Sequence, residues 1–285
     1  MPIEHGRKVV VTGASSGIGR ASALRLDQSG FRVLAGVRNA ADAGALAATA
    51  SNRFTTFEMD VTDPKAIARA VQTVNDVSSD AGLHGLVSNA GISLGGPLEI
   101  TSLESLRQCL EVNVVGTVAL IQAFLPLLRN GHGRIVVIGS ISGRLPSPML
   151  SYYSASKAAL AAIADCLRVE LRPWSIPVSL IEPGAVKTPM WDKGLREADA
   201  WMAAPPAGAD LYMGAARKAR AVIGQRAQKG IAADRVATAV VHALTSSRPR
   251  SRYLVGADAR IQSAIRLAPD RVRDLILARV LGLDR

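Results

Sequence analysis

Tyr153 and Lys157 stand four residues apart in the run Tyr153-Ser154-Ala155-Ser156-Lys157-Ala158-Ala159, at the start of an alanine-rich helical stretch. Residues at i and i+4 share a helix face, so a phenol and an ammonium serve the same volume. A phenol with its ordinary pKa near 10 moves protons poorly at neutral pH. A cation one turn away favours the phenolate. Lowering the pKa by about two units takes roughly 3 kcal/mol and brings the group toward the range of general acid–base chemistry. The same spacing is common on ordinary helices, so the pair needs companions. Ser140 ends the strand-like run Ile135-Val136-Val137-Ile138-Gly139, and Ser142 is its rival. Asn113 is polar inside the apolar stretch Val112-Asn113-Val114-Val115-Gly116-Thr117. Such an amide either bends a helix by bonding nearby backbone or serves a site. Ser88-Asn89-Ala90-Gly91 follows another strand, and its small residues permit close backbone approach.

A second group of residues suits phosphate. Thr12-Gly13-Ala14-Ser15-Ser16-Gly17-Ile18-Gly19 leaves a strand and opens a helix. Gly13 can take the conformation of a tight turn, Gly17 lets backbone approach a pyrophosphate, and Gly19 lets helix close on strand. The free N–H groups at Ser16, Gly17 and Ile18, with the helix dipole, then hold phosphate oxygens. A structural glycine turn is the plain alternative; the strand–turn–helix context favours a nucleotide. The next strand ends Leu34-Ala35-Gly36-Val37-Arg38-Asn39. A carboxylate there would bond a ribose 2′-hydroxyl and repel a 2′-phosphate. Val37 has none, Arg38 offers a planar charged fork suited to phosphate, and Ser15 can add a hydroxyl. The expected cofactor is NADP(H), preferred over NAD(H); the alternative is a solvated surface arginine.

These groups need a scaffold that gathers strand ends and helix starts. The chain alternates short β-branched runs with helical stretches. Strands are expected at Lys8–Thr12, Arg32–Val37, Phe54–Glu58, Leu86–Ser88, Arg134–Ile138, Val178–Ile181 and Tyr253–Val255. Helices are expected at Gly17–Ser29, Ala40–Ala50, Asp63–Asp80, Leu103–Leu128, Tyr153–Arg172 and Ala232–Leu244. Continuous apolar strands separated by helices argue for a parallel sheet covered on both faces. The expected class is α/β: one Rossmann-type, doubly wound parallel sheet of about seven strands. No repeat or flexible linker interrupts it. Residues 1–256 are expected to form the NADP-binding domain, including an irregular segment at 188–224, with 257–285 a helical extension packed on it.

The 285 residues are 48% hydrophobic, which excludes a disordered chain. Cys109 and Cys166 cannot make a disulfide framework, and the four histidines show no metal spacing, so no metal is expected. The net charge is +11, from 34 cations and 23 anions. The cations are dispersed, with no run of five like charges, which fits an anionic cofactor better than nucleic acid. Met1 to Arg7 is polar and unlike a signal peptide, and no stretch of 18 apolar residues is seen, so a cytoplasmic place is expected.

The glycine spacing Gly-x-x-x-Gly-x-Gly, with Asp60-Val61, Asn89-Ala90-Gly91, Asn113, Ser140, Tyr153, Lys157 and Pro183-Gly184-Ala185-Val186-Lys187-Thr188, resembles the short-chain dehydrogenase/reductase family from Lys8 to about Val255. Ser140 precedes Tyr153 by thirteen positions, the family's interval, which favours it over Ser142. The resemblance implies that Tyr153 is general acid for ketone reduction and base for alcohol oxidation, and that Ser140 bonds the substrate oxygen. It also implies that Lys157 holds the nicotinamide ribose and lowers the Tyr153 pKa, helped by the positive ring of the oxidised cofactor. Asn113 would anchor a relay water. Asp60 and Val61 would contact the adenine, and Asn89, Ala90 and Gly91 would lie against the cofactor. Pro183, Gly184, Val186 and Thr188 would line its nicotinamide end, with Val186 and Thr188 holding the carboxamide. Ser88 stands where the family often has a second Asn.

Met190, Trp191, Trp201, Met202, Leu211, Tyr212 and Met213 enrich the segment after Thr188 in adaptable and aromatic side chains. They suit an apolar pocket or packing. The expected substrate is a bulky apolar ketone or secondary alcohol, such as a steroid, retinoid or long-chain carbonyl compound; a 3-oxoacyl reductase or a catalytically idle NADP-binding regulator is the alternative. The tail has Val272, Leu275, Ile276, Val280 and Leu281 at helical spacing among Arg271, Arg273 and Arg279. It either docks on the body or touches an anionic membrane weakly, and its layout resembles the 17β-hydroxysteroid and retinol dehydrogenase-like branch. A homodimer or homotetramer is expected, and no nucleic-acid partner.

Overall fold

The computed structural model describes residues 6–78 and 82–283. Its strands are β1 Lys8–Thr12, β2 Arg32–Val37, β3 Thr55–Glu58, β4 Gly85–Ser88, β5 Arg134–Ile138, β6 Val178–Pro183, β7 Val186–Lys187, β8 Ile231–Ala232 and β9 Arg252–Val255. Its helices are α1 Gly17–Gln28, α2 Ala40–Ala47, α3 Pro64–Ser78, α4 Leu103–Leu110, α5 Gly116–Asn130, α6 Ser151–Glu170, α7 Pro189–Ala203, α8 Met213–Lys229, α9 Ala233–Thr245, α10 Ala257–Ile265 and α11 Asp270–Leu281. The expected helix Asp63–Asp80 ends at residues 79–80, outside the described residues, as do residues 1–5 of the polar N-terminal segment.

Among the described residues the main sheet has seven strands in the order β3-β2-β1-β4-β5-β6-β9, every pair parallel. The period of two explains why the strands are apolar throughout. Val9, Val11, Val136, Ile138 and Ile181 join one core with Ala23, Leu26, Val236 and Val240 of α1 and α9. Their neighbours Val10, Ile135, Val137 and Leu180 join the other with Val74, Leu120, Phe124 and Leu160 of α3, α5 and α6. Helices on both faces leave no face of the sheet to water. Strand order reverses between β1 and β4, which opens a crevice at their carboxyl ends, the usual ligand position of such sheets.

Three expectations need correction. The segment 188–224 is not irregular: it is α7, a short 3₁₀ turn at Ala209–Tyr212, and α8. Pro189 sits at the first helical position, where its missing N–H costs nothing, and α8 is rich in alanine. β7 and β8 pair at the base of this excursion, and Arg220 Nη2 bonds Asp199 Oδ2 at 2.8 Å across its two helices. The single helix expected over Leu103–Leu128 is broken by a π turn at Glu111–Val115 around buried Asn113. That run, Leu103–Asn130, is also long and apolar enough to cross a membrane, against the expectation that no helix would be. Its Leu120, Ile121, Phe124, Leu127 and Leu128 are buried against the sheet.

Candidate active site

The turn after β1 is built around absent side chains. Gly13 and Gly17 have φ of +61° and +53°, left-handed values that favour glycine. A Cβ on Gly19 would lie 2.1 Å from the Gly13 carbonyl oxygen and 2.4 Å from Asn89 Nδ2. Asn89 explains the rigidity of the turn: its Nδ2 donates to the carbonyls of Thr12 at 2.9 Å and Gly13 at 3.1 Å. The backbone N–H groups of Asn89 and Ala90 donate to Thr12 Oγ1 at 3.0 and 3.1 Å. The loop after β4 is thereby tied to the loop after β1 across the crevice. Ser16 is the N-cap of α1, yet its hydroxyl caps nothing and the first turn has no acidic residue. Those N–H groups are presented for an anionic ligand, and Ser15 lies beside them, partly exposed. Gly19→Ala is expected to cost about 1–3 kcal/mol through overpacking against backbone. Chemical unfolding should read that loss, with dinucleotide binding lost alongside it in a fluorescence titration.

Arg38 directly follows β2, is exposed, and makes no side-chain hydrogen bond or ion pair among the described residues. Its charge reaches Asp60. The Asp60 carboxyl is held below its usual range first by hydrogen bonds from the Thr62 N–H and hydroxyl, at 2.8 and 2.7 Å, and further by Arg38. Val61 is buried and packs on Gly116, where a Cβ would meet the Val61 carbonyl at 2.8 Å.

The catalytic candidates converge from β5, α6 and the π turn. Ser140 follows β5 and caps the 3₁₀ turn Ile141–Gly143; its Oγ accepts from the Ser142 N–H at 3.1 Å and faces the Tyr153 hydroxyl closely enough to favour the phenolate. Lys157 is buried, with its Nζ 5.8 Å from the Tyr153 ring centroid and donating to the Ile138 carbonyl at 2.9 Å. Asn113 Oδ1 accepts from the Ile92 N–H at 2.8 Å. Its Nδ2 donates to the Ile92 carbonyl and to Ser156 Oγ, both at 2.9 Å. A Cβ on Gly91 would stand 3.1 Å from Asn113 Oδ1 and 3.7 Å from Lys157 Nζ, so the bare glycine keeps the space beside both groups open.

The electrostatics differ from the expectation for the phenol. Burial pushes Tyr153 above its ordinary value, and the Ser140 hydrogen bond offsets only part of this, although the residue as a whole is partly exposed. Burial pulls Lys157 down to about 8. Desolvation penalises each charged form, and the ammonium points at the Ile138 carbonyl. The protein alone therefore does not lower the phenol.

The remaining candidates lie on the loop after β6. A Cβ on Gly184 would come within 2.2 Å of the Asp258 carboxylate, which accepts the Ala185 N–H at 2.7 Å. Val186 is buried, and its carbonyl accepts from Trp191 Nε1 at 2.6 Å. A carbonyl has a second lone pair for a further donor. Thr188 Cγ2 is 3.0 Å from the Cβ position of Gly17, so this loop, which starts at Pro183, arrives over the glycine turn.

Sequence reasoning missed Thr12, Ser156, Asp258 and the partners of Glu182. Glu182 carried a readable signal: a carboxylate in the apolar run Val178-Ser179-Leu180-Ile181, fully buried. Such a charge demands cations. Arg144 grips it with two bonds of 2.7 Å, and Arg252 adds one of 3.0 Å. This fork ties the turn after Ser140 to the strand that delivers Pro183.

The sequence profile of the short chain dehydrogenase family matches residues 7–199. Retinol dehydrogenase 5 of Homo sapiens is 37% identical over 260 residues, covering 89% of this chain and 81% of its own. The NADPH-dependent 3-dehydrocapnine reductase of Ornithobacterium rhinotracheale is 36% identical over 276 residues, 95% of each chain. The crystal structure of a short chain dehydrogenase from Burkholderia cenocepacia J2315 in complex with NADP aligns with a TM-score of 0.72 at 29% identity, over 97% of this chain and 98% of that one.

Proposed function

The chain belongs to the short chain dehydrogenase family and is an oxidoreductase of alcohol or ketone groups, and from that premise we propose that it uses NADP(H) in preference to NAD(H) on a bulky apolar ketone or secondary alcohol. The reading rests on one observation: the Tyr153 hydroxyl meets Ser140 at the carboxyl edge of the sheet, with Lys157 one turn along and the glycine turn across the crevice.

The uncapped start of α1 and the bare faces of Gly13, Gly17 and Gly19 fit a dinucleotide. When bound, it would supply or accept hydride and, oxidised, carry a positive charge that favours the phenolate. The chain's own residues handle the proton. In reduction Tyr153 donates from its hydroxyl to the carbonyl oxygen of the substrate, and in oxidation it takes the proton back. Ser140 accepts from the Ser142 N–H, and its one hydroxyl proton, directed at the Tyr153 oxygen, turns to the substrate oxygen as charge develops there. Lys157 bonds the ribose hydroxyls and stabilises the phenolate. Asn113 and the open space at Gly91 hold a relay water. Asp60 and Val61 would hold the adenine, Asn89 to Gly91 would back the cofactor, and Pro183, Gly184, Val186 and Thr188 would receive the carboxamide end.

Arg38 and Ser15 carry the NADP(H) preference, because β2 ends without a carboxylate. Arg38→Asp removes charge-assisted bonds and adds repulsion, so the ratio of kcat/KM for NADP(H) over NAD(H) is expected to fall by about 10–100-fold. Steady-state kinetics with both cofactors tests this, and a wild-type ratio already favouring NAD(H) refutes it.

The apolar substrate reading draws on the names of the relatives and on Met190 and Leu211, both exposed on the segment after Thr188. NADPH absorbance followed across steroid, retinoid, long-chain and acyl ketones is the test. Turnover confined to apolar ketones supports the reading, and turnover of 3-oxoacyl compounds alone replaces it. Silence throughout would favour an idle regulator, which has no need of Ser140, Tyr153 and Lys157 together. The free thiols of Cys109 and Cys166 support a cytoplasmic place. A homodimer or homotetramer is the expected assembly; sedimentation equilibrium reads the state directly.

A further inference from the structure

Charge and apolar surface concentrate together on α8, α10 and α11. α8 carries Arg217, Lys218, Arg220, Arg226 and Lys229 and no carboxylate. Residues 257–283 carry five arginines against Asp258, Asp270 and Asp274. Five on α8 and two net on the tail make +7 of the chain's +11. Arg220 is paired with Asp199, and Arg273 with Asp270 at 2.8 Å. Arg217, Lys218, Arg260, Arg266 and Arg271 are exposed and make no side-chain hydrogen bond or ion pair among the described residues.

α11 is apolar on two sides. Leu281 is buried, Leu277 and Ala278 are partly buried beside it, and the helix packs on α8. At about 100° per residue, Val272, Leu275, Ile276 and Val280 fall in an arc of roughly 140° opposite that seam. All four are exposed, Leu275 at 52%. Leu283, Leu267 at 82% and Ile261 of α10 at 60% add to the uncovered apolar surface. Arg271 and Arg273 border the arc on its two sides, and Arg279 falls within it.

We propose that α10 and α11 dock the protein on an anionic lipid bilayer, with the apolar arc in the head-group boundary and the arginines on the phosphates. An uncovered apolar arc bordered by cations is the signature of a helix lying in the membrane plane. A second copy docked by the same face would bring the exposed Arg266 and Arg271 of both chains together.

The test is flotation of the full chain with phosphatidylcholine vesicles, with and without about 30% phosphatidylglycerol, at low and high salt. Anionic vesicles are expected to bind at least about tenfold more tightly than neutral ones, with binding weakened by salt. The double variant Leu275→Ser with Ile276→Ser should lose about tenfold in anionic-vesicle affinity. Its NADPH binding and thermal midpoint should stay unchanged, because both side chains are exposed. Arg266→Glu with Arg271→Glu should lose as much. The proposal is overturned if the protein does not float, if neutral vesicles bind equally, or if the serine variant floats like wild type. It is also overturned if the serine variant halves the sedimenting mass, which assigns the face to a second copy. Binding to soluble polyglutamate without binding to vesicles would assign it to an acidic protein.

Discussion

Tyr153→Phe is expected to lower kcat by about 10²–10⁴-fold, the usual contribution of a positioned acid–base group, while the Kd for NADPH stays within about twofold. The substitution removes one oxygen and keeps the ring, so packing of α6 is preserved. Only the proton path is cut. A variant retaining more than about a hundredth of wild-type turnover would remove Tyr153 from the chemistry. Ser140 supplies the companion measurement. Its hydrogen bond is what opposes the upward push of burial on the phenol. Ser140→Ala should therefore move the rising, low-pH limb of the oxidation profile to higher pH, besides slowing the chemical step. A limb that stays in place, or moves to lower pH, contradicts the assigned bond.

Lys157→Met should damage both turnover and cofactor binding, each by about tenfold or more, because one ammonium is assigned to the ribose and to the phenolate. It also has a signature in the protein without ligand. Folded Lys157 loses its proton near pH 8, against 10.5 for the ordinary lysine. Between these values the folded state binds fewer protons than the unfolded state, so stability rises with pH across that window. Below pH 8 the burial penalty of the ammonium is present in full, about 3 kcal/mol at pH 7. In Lys157→Met this rise should vanish. The loss of the bond to the Ile138 carbonyl offsets part of the stability gained at neutral pH. Tyr153, raised by burial, acts in the opposite sense above pH 10, and Lys8 is common to both proteins. Urea unfolding from pH 7 to 10 on both proteins gives the difference curve. A wild-type curve as flat as the variant's would show that the ammonium is not desolvated.

Some of this was legible in one dimension. Apolar runs such as Lys8–Thr12 and Arg134–Ile138 can be buried on both faces only inside a parallel sheet, so the layered architecture follows from their composition. The glycines at 13, 17 and 19 announce the backbone they need, and the interval from Tyr153 to Lys157 places both on one helix face. The bias of Pro189 and the α8 alanines toward helix was present too.

Local pattern determined strand faces, turn chemistry and the shared face of phenol and amine, because each depends on residues within a few positions of one another. Only the folded chain decided that Asn113 sits in a π turn bonded to Ile92, that Asp258 holds the Ala185 N–H from 73 residues away, and that Arg144 meets Glu182. It also decided the direction of the Tyr153 shift, against the sign that its neighbour in sequence suggests. Desolvation sums over every element packed around a group, most of them distant along the chain, whereas sequence spacing reports only the nearest charge.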